Sequence, residues 1–187
     1  TQLKEKYNLQ NKIILLSVGR LVKRKGFDLV IKALPEVLKK FPDLVYVILG
    51  QGEEAENLKS ASNTIIITDA GDEERNSWYH LCDIFIMPAR NIGGDFEGFG
   101  IVYLEANLAG KPVIAGRSGG VADAVIDGLN GLLVDPASQE EISQAIIKLA
   151  ANQALSKKLG EQGRQRALTE FNWEKQINKI YLSLRGA

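Results

Sequence analysis

The sequence predicts an α/β protein: a Rossmann-like, doubly wound, mostly parallel sheet with helices on both faces and a helical C-terminal tail. Three observations carry this. Short, largely apolar runs recur at Ile13–Val18, 45–49, 64–68 and Ile84–Met87, the pattern of strands buried on both faces. Stretches of helical period separate them, so each strand rejoins the sheet through a crossover. From Ser138 onward the strand patterns give way to helical ones.

In order along the chain, Ile13–Val18 ends at Gly19 and opens a turn over 20–26. Phe27–Lys40 places Leu29, Val30, Ala33, Leu34, Val37 and Leu38 at helical spacing, and Pro35 in its middle predicts a kink or a break into two pieces. The second strand covers 45–49, a polar helix 53–59, the third strand 64–68, and Asp72–Leu81 is a helix opened by an acidic cap. Ile84–Met87 is the fourth strand. Short strands at 112–115 and 132–134 follow Gly or Lys-Pro punctuation. Helices are expected at 138–150, 153–169 and 173–184, and the polar start TQLKEKYNLQ reads as a linker from something upstream.

Composition excludes several function classes. With 187 residues, 45% of them apolar, the chain is most simply one domain with a real core. Its 23 basic and 23 acidic residues cancel, so no global field draws it to nucleic acid or an acidic membrane, and any cationic site has to be local. A single cysteine, Cys82, rules out an internal disulfide and reads as a buried structural thiol in a reducing, cytoplasmic setting. No apolar run approaches membrane-spanning length and the N-terminus lacks the apolar centre of a signal peptide, so a soluble chain is expected. The one histidine, His80, has no Cys or second His at ligand spacing, so neither a metal site nor a metal cofactor is expected. No G-x-x-x-x-G-K-S/T run and no G-x-S-x-G elbow occurs.

In such a sheet ligands bind beyond the carboxyl ends of the strands, so the loops after strands matter most. The most informative stretch is EGFGIVYLE, residues 97–105. Gly98 and Gly100 flank Phe99 just ahead of a helix-compatible run, where backbone N–H groups can converge on an anion. A carboxylate stands at each end. Glu97 can accept hydrogen bonds from hydroxyls in front of the glycines, and Glu105, on the second turn, can reach a ribose; the pair points to a phosphorylated polyol. A hydrolase's two carboxylates are the second reading.

The loop GRLVKRKG crowds Arg20, Lys23, Arg24 and Lys25 between a strand and a helix start, where an anion also gains from the helix dipole. Arg20 and Lys25 bracket the turn and are the better ligands; Lys23 and Arg24 are expected to be exposed. The loop ILGQGEEA satisfies the G-x-G-x-x-A spacing at Gly50, Gly52 and Ala55, so a dinucleotide site has to be weighed, but Glu53 and Glu54 would repel a pyrophosphate there. In PARNIGGDFEGFG, Gly93 and Gly94 make either a mobile lid or a tight turn, and Arg90 serves either a ligand or a nearby carboxylate. SGG at 118–120 and DGLNG at 127–131 read as turns, with Gly119 and Gly120 bordering the crevice. Trp78, Tyr79, Phe171, Trp173 and Tyr181 read as packing aromatics.

The succession SVGRLVKRKGFDLVIKAL, CDIFIMPAR and EGFGIVYLEANLAGKPVIAGRSGGVADAVIDGLNGLLV resembles the C-terminal, donor-binding domain of a GT-B fold glycosyltransferase of family 4, over nearly the whole chain. The resemblance implies that Arg20 and Lys25 neutralise a donor diphosphate, that Glu97 contacts the donor sugar and Glu105 the ribose, and that amides at Gly98, Phe99 and Gly100 cradle phosphate. Backbone at Asp69 and Ala70 would face the nucleobase. It implies hexose transfer from a nucleoside diphosphate sugar, GDP- or UDP-linked, with retention of configuration and no metal; the long PAR…GG…EG insertion is most similar to phosphatidylinositol mannosyltransferases, which use GDP-mannose.

A complete enzyme of that kind has an N-terminal, acceptor-binding domain of similar size. Residues 1–187 are therefore expected to form the donor-binding half, with a C-terminal helix at about 172–187 packing back toward the missing domain and exposing Trp173, Ile177 and Tyr181. The isolated domain is expected to bind nucleotide without catalysing transfer. Peripheral membrane association of the full-length protein is left open. A non-catalytic nucleotide-binding module working with a partner chain is the alternative, and an NAD-binding domain the third.

Overall fold

The computed structural model describes residues 2–58, 62–172, 175 and 177. Six strands, β1 (Ile13–Val18), β2 (Leu44–Leu49), β3 (Thr64–Ile67), β4 (Ile84–Met87), β5 (Val113–Gly116) and β6 (Gly131–Val134), form one sheet in the order β3-β2-β1-β4-β5-β6. All five pairings are parallel, which bears out the doubly wound class. The chain runs outward from β1 to β2 and β3, then returns to lay β4 against the other edge of β1. The carboxyl ends of β1 and β4 therefore flank the point where strand order reverses, where such sheets open a crevice.

Among the described residues the continuous α-helices are α1 (Gln2–Lys6), α2 (Phe27–Lys40), α3 (Ala55–Leu58), α4 (Asp72–Leu81), α5 (Ile101–Leu108), α6 (Val121–Ala124), α7 (Gln139–Ala151) and α8 (Gln153–Glu170). α2 packs with α7, whereas α4 packs with α5 and α5 with α8. Right-handed crossovers in the two directions place α2 and α5 on opposite faces. With both faces covered, β4 is buried at every residue and central β1 at all but its first, which is why neither shows alternation.

Several elements differ from the sequence-based expectation. The helix continues through Pro35, which sits on its exposed side with Lys39 and Lys40 while Val30, Ala33, Leu34 and Val37 bury the other side. Water can serve a backbone group that proline leaves unpaired there. The 53–59 helix shortens to the four residues of α3 among the described residues. α4 has Gly71 at its N-cap with no side-chain cap, and the Asp72 carboxylate pairs with Arg75 at 3.0 Å instead. The expected linker contains α1 and packs on the domain: Leu9 is buried and the Tyr7 ring lies 5.4 Å from that of Trp78. Ser138 does cap α7, accepting from Glu141 N at 3.1 Å. The helix expected at 173–184 lies outside the described residues except for 175 and 177; Ile177 is exposed, and Trp173 and Tyr181 are among the residues not described.

α5 is pinned at both ends, and this fixes what it carries. Tyr103, in its first turn, is buried and its hydroxyl donates to the Met87 carbonyl at 2.8 Å. At the other end, buried Asn107 and Asn130 bond each other at 2.7 Å, and Asn130 also donates to the Ala124 carbonyl at 2.9 Å. The DGLNG segment is thus more than a turn, since its asparagine locks β6 to α5. A buried amide left without such partners costs about 1–3 kcal/mol.

Candidate functional site

The loops following β1 and β4 meet at the switch point. They are tied together by the Arg90 amide, which donates to the Arg24 carbonyl at 2.8 Å. The Arg90 side chain serves a carboxylate, Asp28, at 2.9 Å. Gly93 and Gly94 form a tight turn, closed by reciprocal 3.0 Å bonds between Ile92 and Asp95.

Glu97 lies at the centre of this junction, with its side chain 11% exposed. Lys25 Nζ and Arg24 Nη1 both donate to its Oε2, the latter at 2.8 Å, while Arg24 Nε stands 3.1 Å from Asp95. No hydrogen bond reaches Glu97 Oε1 among the described residues. Arg24 corrects the sequence reading, because its side chain is only 14% exposed and belongs to the junction; Lys23 is exposed as expected. Arg20 and Lys25 differ in setting. Lys25 is buried against Glu97, whereas Arg20 is exposed and lines the cleft across the ends of β1, β2 and β3, whose Gly19 lies beside the Lys25 side chain.

The Glu97–Gly98 backbone rests on the SGG segment. Gly120 N donates to the Glu97 carbonyl at 3.0 Å. A side chain at Gly120 would lie 1.8 Å from the Gly98 oxygen, and one at Gly119, whose φ is +58°, would lie 2.3 Å from the Glu97 oxygen. Only glycine permits that approach. Beyond it, the amides of Phe99, Gly100, Ile101 and Val102 make no hydrogen bond among the described residues, leaving the N-terminus of α5 with free donors. The Phe99 ring points elsewhere, 5.5 Å from that of Phe171.

Glu105, one turn into α5, is half-buried and accepts from the Tyr79 hydroxyl at 2.6 Å through Oε2. Its Oε1 likewise has no partner among the described residues. Burial, and then the bond to Glu105, push the Tyr79 phenol far above its ordinary range, so it stays a donor.

Across the ends of β1, β2 and β3 lies a cleft of about 330 Å³, lined among others by Arg20, Gly50, Gln51, Thr68, Ala70 and Arg75. Ala70 lines it; Asp69 is exposed beside it and is not part of the lining. Gly50 and Gly52 have a structural reason of their own. Side chains there would fall 1.9 Å from the Gly19 oxygen and 2.3 Å from the Leu21 oxygen, where the loops after β1 and β2 touch. The helix that follows them has four residues among those described.

Sequence reasoning missed Arg24, Asp95, Arg75 and the polar role of Tyr79. A signal existed for Arg75, which lies one helical turn before Tyr79 on the same face of α4. Among the described residues no group of three or more His, Cys, Asp or Glu could hold a metal ion, and no helix is long and apolar enough to cross a membrane.

The family model described as "Glycosyl transferases group 1" matches residues 1–166. A GDP-mannose-dependent alpha-(1-6)-phosphatidylinositol monomannoside mannosyltransferase of Mycolicibacterium smegmatis is 36% identical over 99% of this chain and 51% of its own length. Among solved structures, Anabaena HepE in complex with UDP and glucose superposes with a TM-score of 0.84 at 21% identity, over all of this chain and 52% of that one. The C-terminal domain of a glycosyl transferase group 1 family protein, LpcC of Francisella tularensis, superposes at 0.73 with 24% identity, over 91% of this chain and 93% of that one. The chain thus spans about half the length of the curated mannosyltransferase it matches, and the fold is that of one half of a GT-B glycosyltransferase.

Proposed function

Because this chain belongs to the glycosyl transferases group 1 family, we propose that it is the donor-binding half of an enzyme transferring a hexose, mannose or glucose, from a GDP- or UDP-linked donor with retention of configuration. The observation that carries the reading is a shared arrangement. Glu97 and Glu105 are each held through Oε2 and keep Oε1 without an internal partner, on either side of the unpaired amides at the start of α5. A carboxylate fixed by one oxygen presents the other to hydroxyls, and free helix amides take phosphate oxygens.

In this reading Arg20 and Lys25 neutralise the diphosphate, and the amides of Gly98, Phe99 and Gly100 complete its cradle. Glu97 takes sugar hydroxyls, Glu105 takes the ribose, and backbone at Asp69 and Ala70 borders the base. Cations and amides aimed at the departing diphosphate act where negative charge develops in the transition state. Lys25 has to be shared between Glu97 and phosphate, so donor binding loosens one internal ion pair. The relatives support both nucleotides: the mycobacterial protein is named for GDP-mannose and the Anabaena structure holds UDP and glucose. No cofactor is invoked.

In this reading the acceptor-binding half belongs to a longer polypeptide that acts in the cytoplasm and, where its acceptor is a lipid, at the inner face of a membrane. A transfer assay with labelled GDP-mannose and UDP-glucose tests this. The expected result is that the 187-residue chain binds donor but transfers nothing, and that transfer requires the longer polypeptide. Transfer by the chain alone would contradict the half-site reading, and co-purification of a separate acceptor-domain polypeptide would favour a two-chain enzyme.

A further inference from the structure

We propose that Tyr79 is a positioning residue for Glu105, holding this carboxylate in the orientation that takes the vicinal hydroxyls of a ribose. The inference deepens the donor-site reading and rests on it.

Glu105 is a half-buried glutamate with no ion pair among the described residues; what orients it is the 2.6 Å bond from Tyr79. A glutamate side chain loses several rotatable bonds on fixing, so one rigid donor removes much of the ordering cost before ligand arrives. Tyr79 can supply that rigidity. It is buried, its ring lies 5.7 Å from that of Phe85 on β4, and its backbone carbonyl accepts from Cys82 Sγ at 3.4 Å. A phenol is a single donor here, so it engages one carboxylate oxygen and leaves the other, as observed.

The placement also has a reach that a packing role does not require. Tyr79 stands one turn after Arg75, which lines the cleft at the ends of β1 to β3. One face of α4 thereby touches the cleft and the carboxylate of α5, so the bond fixes the spacing between the two places that a nucleoside would span. Glu105 and Tyr79 themselves line a small recess with Asn76 and His80, which is open enough for hydroxyls to enter.

The test compares Tyr79→Phe with the unaltered chain by titration with GDP, UDP and their 2′,3′-dideoxy counterparts. The substitution retains the ring and removes only the donor. Ribonucleotide affinity is expected to fall about tenfold while dideoxy affinity is unchanged, so discrimination between the two sugars collapses. In a Glu105→Gln background the same change is expected to add nothing. Equal weakening of both nucleotides, or no weakening of either, would make Tyr79 a packing residue and overturn the proposal. Equal affinity of the unaltered chain for ribo and dideoxy forms would instead remove ribose recognition by Glu105, and with it this role.

Discussion

Arg24 Nη1 donates to Glu97 Oε2 at 2.8 Å across 73 residues of sequence, joining the loop after β1 to the loop after β4. Lys25 donates to the same oxygen. The junction therefore holds two cations against Glu97 and Asp95, and is close to neutral before any ligand arrives.

Replacing Glu97 by Gln leaves Lys25 nearly buried without its counter-charge. The expected cost is about 3 kcal/mol of stability, the usual size for breaking one side of a buried pair, measured by urea unfolding. The same variant is expected to bind pyrophosphate more tightly, since Lys25 no longer has a competing carboxylate, and to lose the affinity that a sugar adds to a nucleoside diphosphate. Weaker pyrophosphate binding would show that Glu97 holds Lys25 in place for phosphate and does not compete with it.

The contact between SGG and the Glu97 loop makes a second expectation. Gly120→Ala places a methyl 1.8 Å from the Gly98 oxygen, so the loop has to move, at a cost of about 1–3 kcal/mol and with loss of nucleotide binding. Gly71→Ala is the control, since nothing lies within 4 Å of a side chain there and its φ is −72°. Thermal unfolding and nucleotide titration of both variants decide the matter.

Burial pushes the Cys82 thiol up to about 12 from an ordinary value of 9.0. The unfolded chain releases this proton first, so stability is full below about pH 9 and falls as pH rises toward about 12. Tyr46 and Tyr103, also raised by burial, add to the loss once free phenols ionise above about pH 10. Cys82→Ala is therefore expected to remove about 1 kcal/mol of the loss between about pH 9 and about pH 10, read from denaturant unfolding at each pH.

The sheet was legible because strands buried on both faces are written as continuous apolar runs, as β2 and β4 are and as β1 is but for Ser17. α5 was legible from Gly100 followed by Ile101, Val102 and Leu104. What was not legible depends on contacts between distant loops. Nothing local distinguishes Arg24 from Lys23 in a run of adjacent cations; the difference is made by Asp95 and Glu97. Gly50 and Gly52 reproduce a dinucleotide fingerprint locally, yet the carbonyls of Gly19 and Leu21 account for them. Burial of Tyr79 could be read from its neighbours, but the partner of its hydroxyl could not. Leu3, Tyr7 and Leu9 were too sparse among polar residues to distinguish a packed N-terminal segment from a linker.

The central claim is that the switch-point site, with Arg20, Lys25, Glu97 and Glu105, binds the nucleoside diphosphate of a sugar donor. Calorimetric titration of the chain with GDP, UDP, ADP and NAD, without added metal, tests it most directly. Saturable binding of GDP or UDP, lost in Arg20→Ala and Glu105→Ala, is the expected result and names the donor class. Tightest binding of NAD, unaffected by those substitutions, would move the site to Gly50–Ala55 and contradict the account.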